Sequence, residues 1–449
     1  MTVYDLVVIG DVVTPAGVLS DGWVASTGGR IAAVGCGAPP DAARRHDARG
    51  NWVLPGVIDG QTHAGSATGF DGLEPTTRAA AAGGVTTIVD MPYDNPDPVN
   101  TTEVLQQKVA AVEKLAHTDV ALYVTLAPDS DAAALDALAD AGAAAIKLSL
   151  FESHPTRFPR IPKDRILAFL ERARTHVLPI GLHNEDQELV HAHVHAMKDA
   201  GRTGPDAHHP SRPPVAEIVA TEEFLELGRA SGGHVHIVHF SQARGYDLVA
   251  EARARGVQAT AELCVHYLVF DEGDVRAQGN VLKVNPPIRP NEKDTIWQHL
   301  LAGNVNFVSS DHGSWPLERK TTDDVFQAAA GIPGLQTLLP AFHHVCVERG
   351  APVTELARFL AEGPARFFGL WPRKGALQPG ADADITVLEA TPTRFDASAT
   401  FDGLNWSPYD GMTFPSRVNA TYVRGELVFA DGELKSAPGH GTFVPRQRT

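Results

Sequence analysis

The sequence predicts an α/β chain: a (β/α)8 TIM-like barrel with a small β-sandwich domain formed by both chain termini. Three observations lead there. Eight apolar, β-rich runs alternate with helix-compatible segments through the middle of the chain. A different rhythm, short strands broken by tight turns, occupies both ends. Residues able to bind a metal close or interrupt five of the eight runs, as catalytic groups do at the mouth of a parallel barrel.

Residues 1–53 set short apolar runs between Gly, Pro and Asp, as in DLVVIGD, GWVAS, RIAAVG and NWVLPG. That is the pattern of short strands and turns. The middle carries VLPGVIDGQTH, TTIVDMP, DVALYVTL, AAAIKLSLF, VLPIGLH, HVHIVHF, VQATAELCVHYL and VNFVSSDH, separated by segments such as TEVLQQKVAAVEKLA, DRILAFLERART and VAEIVATEEFLELGRA. Eight such units close a parallel barrel of roughly 250–320 residues. An open doubly wound sheet is the rival, but no GxGxxG follows the first strand to support it. Beyond residue 375 the strand-and-turn rhythm returns in ADADITVLE, NATYVRG and ELVFADGEL. The expected domains are 1–53 with 375–449 as the sandwich, and 54–374 as the barrel.

Composition narrows the function. Hydrophobic residues make up 43% and charged residues 20%, ordinary for a soluble chain with a large core. A formal charge of −16 argues against nucleic-acid binding, which needs a basic face, and no polybasic stretch is present to hold an anionic membrane. Cys36, Cys264 and Cys346 are far apart and outside any CxxC pattern, so a reducing, cytoplasmic setting is expected. The opening MTVYDLVVIGDVVTPAG reads as a strand entering a turn, not as a signal peptide or membrane span.

The first barrel run ends in Asp59-Gly60-Gln61-Thr62-His63, and a period of two sets Asp59, Gln61 and His63 on one face. Lys147 sits inside the fourth run, His183 and His239 end the fifth and sixth, and Asp311 ends the eighth. Each has an ordinary explanation. A lone strand histidine is commonly just hydrogen-bonded, a strand lysine can snorkel to solvent, and an aspartate can cap the following turn. Five such residues on five strands outweigh those explanations, and a site for one or two divalent metals follows.

These residues and the motifs around them resemble the cyclic-amide branch of the amidohydrolase superfamily, the allantoinases, hydantoinases and dihydroorotases. The resemblance runs through VLPGVID-x-x-x-H (53–63), TRAAAAGGVTTIVDMP (77–92), IKLSLF (146–151), LHNED (182–186), VHFS (238–241), NPPIR (285–289), SSDH (309–312), GIPGLQT (331–337), KGALQPGADADITVLE (374–389) and SPYDGMTF (407–414). The TRAAAAGGVTT, NPPIR and GIPGLQT segments are most like allantoinases. The resemblance implies that Lys147 is carboxylated by CO2 to N6-carboxylysine and bridges two metals. It implies that His183 and His239 bind the more exposed metal, and His63 and Asp311 the more buried one. Zinc is the first expectation, with manganese, cobalt or iron as alternatives. It further implies ring opening of a cyclic amide or ureide by a metal-held hydroxide, with Asp311 as proton shuttle, and a homo-oligomer, dimer or tetramer.

Two positions depart from the family. Its strand-one pattern is His-x-His, and here the first position is Gln61, whose amide oxygen is a poorer zinc ligand than imidazole. Gln61 can coordinate through that oxygen, or the site can hold only the metal on Lys147, His183 and His239, or metal and activity are both lost. Hydantoinases carry a tyrosine five residues beyond the lysine, and here that residue is Glu152. Asn285 and the backbone around Gly334 occupy places where relatives hydrogen-bond the cyclic amide. Asp59 is expected to support strand one by hydrogen bonds, His312 to orient a neighbour, and Glu185 and Asp186 to form an acidic helix N-terminus. The leading expectation is an enzyme that hydrolyses a C–N bond in a small cyclic amide, ureide or imide. The alternative is a non-catalytic dihydropyrimidinase-like scaffold that has lost a ligand at Gln61.

Overall fold

The computed structural model describes residues 3–447. Strands β1 (Tyr4–Thr14), β2 (Gly17–Thr27), β3 (Arg30–Cys36) and β4 (Ala42–Pro55) open the chain. Along β1 the alternation expected of a strand buried on both faces is visible. Leu6 and Val8 join one apolar cluster with Ile385 and Val387, whereas Val7 and Ile9 join another with Ala25.

The next strands form the barrel: β5 (Val57–His63), β6 (Val85–Asp90), β7 (Asp119–Val124), β8 (Ala145–Ser149), β9 (Ile180–His183), β10 (Val235–Ile237), β11 (Ala259–Cys264) and β12 (Phe307–Ser309). All pair in parallel with their neighbours in chain order. A two-residue strand, β13 (His312–Gly313), continues the line of β12 and pairs with β5, which closes the barrel. The eight predicted runs are therefore its eight staves. Strands β6 to β9 are buried along their whole length, because the sheet faces helices outside and packed side chains inside. Several helices start at the side-chain caps their sequences offer. Thr101, Asp131 and Asp186 accept backbone N–H groups at the starts of Thr102–Leu115, Ala132–Asp140 and Gln187–Asp199.

The chain then returns to the first sheet with β14 (Ile385–Glu389). A separate ribbon of β15 (Thr393–Arg394) and β16 (Thr413–Phe414) precedes β17 (Arg417–Val423), β18 (Glu426–Ala430) and β19 (Glu433–Leu434). The order β19-β18-β17-β14-β4-β1-β2-β3 confirms the expected β-module built from both termini. No helix among the described residues is long and apolar enough to cross a membrane.

The module is fastened to the barrel by buried charge. Asp119, at the N-terminal end of β7, comes together with Asp382 and Asp384, their ligating atoms all within 4.8 Å of one another. Three carboxylates so close could hold a metal ion, but the ammonium of Lys374 fills the space. Its Nζ lies 2.5 Å from Asp119, 3.1 Å from Asp382 and 2.7 Å from Asp384, and Arg424 adds a second cation on Asp119. This cluster begins a strand whose C-terminal end faces the mouth, so it lies at the other end of the barrel. Removing the lysine would leave Asp384 with no cation paired to it among the described residues, and Asp119 and Asp382 with the arginines Arg424 and Arg373. Lys374→Ala is expected to cost about 3–5 kcal/mol of stability, read by urea denaturation, and a loss below about 1 kcal/mol would contradict a fastening role.

Candidate metal centre

Asp59, fully buried on β5, was expected to support strand one, and it reaches further. It accepts hydrogen bonds from Thr62 Oγ1 at 2.7 Å, from Ser310 N at 2.8 Å and from Ser310 Oγ at 2.5 Å. It thereby ties the start of the barrel to its last stave. Ser310 precedes Asp311, whose φ is 49°, in the left-handed region where a non-glycine residue is strained. The strain falls between β12 and β13, where the chain changes neighbours. It turns the Asp311 side chain toward β5, where Gln61 Nε2 donates to Asp311 Oδ1 at 2.9 Å and His63 Nε2 lies 3.3 Å from the same oxygen.

His239 repeats the device. It lies two residues beyond β10 with φ 40°, and its backbone N–H donates to Glu262 Oε1 at 3.1 Å. Glu262 is fully buried on β11, and burial pushes its carboxyl well above the usual range. The turn presents the His239 ring to His183, with His183 Nδ1 and His239 Nε2 3.1 Å apart. The other ring nitrogen of His183 donates to Glu185 Oε2 at 2.8 Å. Glu185 is therefore more than the acidic helix start expected of it, a role that of the two falls to Asp186 as the N-cap. Burial works against its charge, but the Arg212 guanidinium and His183 outweigh burial and bring the carboxyl down to about 2. Because a carboxylate only accepts, His183 carries its proton on Nε2 and offers the Nδ1 lone pair inward. Burial lowers the pKa of His183 and lowers that of His239 much further, so both rings are neutral at pH 7.

Lys147 on β8 is 1% exposed and its Nζ has no hydrogen-bond partner. Burial lowers its pKa to about 8, with Glu262 and Asp311 the nearest opposing charges. A buried amine without a partner, two neutral imidazoles and a carboxylate make a donor set that suits a divalent cation. Two ligands on tetrahedral zinc sit about 3.3 Å apart, close to the separation of the two facing ring nitrogens.

Above these groups opens a cavity of about 580 Å³, lined among others by His63, Lys147, His183, His239 and Asp311, with Glu152 and Asn285, a size suited to a small ligand. Gln61 lies beneath it, fully buried. Gly334 is not at the wall. Its N–H donates to His312 Nδ1 at 3.3 Å, and Gly331 lines the cavity instead. His154 also lines it, with Arg157, Phe158, Trp315 and Arg319. The loop carrying Trp315 and Arg319 is pinned by the buried Lys320, which donates to the carbonyls of Lys283, Ala329 and Gly331 at 2.8, 2.8 and 2.9 Å. Nothing in local sequence marks Lys320 or Glu262, since their partners are distant in the chain.

A model of the amidohydrolase family matches residues 52–428. The chain belongs to the amidohydrolase family. This amidohydrolase is 36% identical to an allantoinase of Rubrobacter xylanophilus, covering 100% of this chain and 99% of the relative. It is 31% identical to an L-hydantoinase of Paenarthrobacter aurescens, covering 93% of each. Among solved structures, an L-hydantoinase (dihydropyrimidinase) from Arthrobacter aurescens superposes with a TM-score of 0.93 at 30% identity, over 99% of this chain and 100% of that one. With that kinship the protein is a hydrolytic enzyme, and the scaffold alternative falls away.

The Asp59 clamp has a measurable consequence. Asp59→Ala leaves the Ser310 N–H unsatisfied and Asp311 free to relax. Turnover is expected to fall about 10–100-fold, with about 1–3 kcal/mol of stability lost. Unchanged kcat in a folded variant would show that the clamp does not position Asp311.

Proposed function

We propose that this amidohydrolase opens a C–N bond in a small cyclic amide, ureide or imide at the barrel mouth, the chemistry named for its allantoinase and hydantoinase relatives. The observation that carries the reading is the buried, unpartnered Lys147 amine beside the facing nitrogens of His183 and His239. Lys147, as N6-carboxylysine, would hold a divalent cation together with His183 and His239, with zinc the first choice and manganese, cobalt or iron as alternatives. His63 and Asp311 stand next to them. When bound, such a cation acts as a Lewis acid that polarises a carbonyl and makes water a better nucleophile near neutral pH.

The chain's own residues supply the rest. Asp311 is the proton shuttle. Burial opposes its charge, but the His63 hydrogen bond and positive neighbours outweigh burial and hold its carboxyl below the usual range, so it is a base at neutral pH. It takes a proton from the attacking water and returns it to the ring nitrogen as the C–N bond breaks. The water oxygen stays on the carbonyl carbon, which leaves as a carboxylate. Asn285 turns a buried, unpartnered Oδ1 to this region and would accept from a ring N–H, and Glu152 at the rim would accept from an amino or ureido group. The free thiols of Cys36, Cys264 and Cys346 support a reducing cytoplasmic setting.

The test is a hydrolysis screen of allantoin, hydantoins, dihydropyrimidines and cyclic imides with zinc, manganese or cobalt supplied. Metal-dependent ring opening of at least one class is expected, and none from a metal-loaded, folded protein would sink the reading. Asp311→Ala is expected to lower kcat by about 10²–10⁴-fold while keeping most of the metal, whereas Lys147→Ala loses metal and turnover together. Wild-type kcat in the Asp311 variant would remove it from the mechanism.

A further inference from the structure

Gln61 is a fully buried side chain of which only half is used. Its Nε2 donates to Asp311 Oδ1 at 2.9 Å. An ionised carboxylate has no proton to give, so the amide nitrogen must face Asp311. That assignment leaves Gln61 Oε1 buried without a donor, a position such acceptors rarely occupy. The same Asp311 oxygen lies 3.3 Å from His63 Nε2, whereas nothing among the described residues bonds Asp311 Oδ2.

The two halves of the site therefore differ. Around Lys147, His183 and His239 an amine and two ring nitrogens face one another, with the Lys147 amine unpartnered. On the other side, His63 and Gln61 already satisfy one oxygen of Asp311. A Gln61 amide locked by its nitrogen onto Asp311 adds nothing to a second cation there, and an amide oxygen is in any case a weak zinc ligand. Besides a shared oxygen of the carboxylated Lys147, a second ion would find only His63 and Asp311, which already engage each other, and Gln61 stands where the family pattern would add an imidazole.

We propose that the site holds a single divalent cation, on Lys147, His183 and His239, and that Gln61 is a positioning residue that replaces a second one. Its Nε2 holds Asp311 by Oδ1 and so leaves Oδ2 for the attacking water. The water gives one proton to Asp311 Oδ2 and bonds through its oxygen to the substrate carbonyl carbon, its other hydrogen staying on that oxygen until the carboxylic acid formed ionises. Asp311 then passes its proton to the ring nitrogen as the C–N bond breaks. This inference rests on the hydrolytic reading of the site.

The test counts metal and separates kcat from KM. The full-length protein is loaded with zinc and bicarbonate, freed of excess by gel filtration, and analysed by inductively coupled plasma mass spectrometry. About one zinc per chain is expected in the wild type and in Gln61→Ala. The variant should lose about 10–100-fold in kcat with KM within about threefold of wild type. About two zinc per chain in the wild type, loss of the metal from Gln61→Ala, or undiminished kcat in that variant would each overturn the proposal. Should Gln61→Ala fail to fold, the manganese-loaded wild type decides by electron paramagnetic resonance. The spectrum of isolated manganese supports one ion per site, and that of a spin-coupled pair refutes it. One metal per chain with no ring opening would sink the hydrolytic reading and leave the metal count standing, whereas two metals with turnover would do the reverse.

Discussion

Burying the Lys147 amine without a hydrogen-bond partner is the constraint on which the site depends. An ammonium removed from water is costly unless it is neutralised, paired or converted into something else. Burial, outweighing the pull of Glu262 and Asp311, brings its pKa to about 8, which puts part of the population in the neutral, nucleophilic amine near physiological pH. A neutral amine can react with CO2, and the resulting anion is what two neutral imidazoles and a divalent cation would complement. The arrangement makes physical sense with a cation bound, and without one it leaves an amine stranded.

Holding the other groups against that amine requires backbone the chain would not otherwise adopt. His239 and Asp311 both sit at positive φ, and each is secured by a buried carboxylate from a neighbouring strand. Glu262 takes the N–H of His239, and Asp59 takes the N–H and hydroxyl of Ser310. Glu185 sets the tautomer of His183 in the same way. Glu185, held ionised, accepts and cannot donate, so it fixes which nitrogen of His183 carries the proton. At the far end of the barrel the same chemistry is structural, with Asp119, Asp382 and Asp384 gathered around Lys374.

Much of this is legible in the sequence. The eight barrel runs stand out because parallel strands buried on both faces are nearly continuous apolar segments, and Lys147 stands out because it breaks one. The run HVHIVHF yields only Val235–Ile237 as strand, since the chain must leave the sheet to turn His239 inward. Asp59 could be read as a support from its place on strand one. Glu185 could not be separated from a helix-start acid, because its partners His183 and Arg212 meet only in the fold. Glu262, Lys320 and the cavity-facing Arg157 and Arg319 are defined by contacts across the chain. Gly334 could be placed near the site from its motif, but which glycine of that loop reaches the wall is decided by the pinning of residues 315–331 on Lys320.

The most direct measurement is carbon-13 NMR of the zinc-loaded protein equilibrated with carbon-13-labelled bicarbonate, beside Lys147→Ala treated identically. A carbamate carbon resonance present in the wild type and absent from the variant is the predicted result. A wild-type spectrum with no carbamate carbon, from protein that nonetheless holds its metal and opens its substrate, would contradict the role assigned to Lys147.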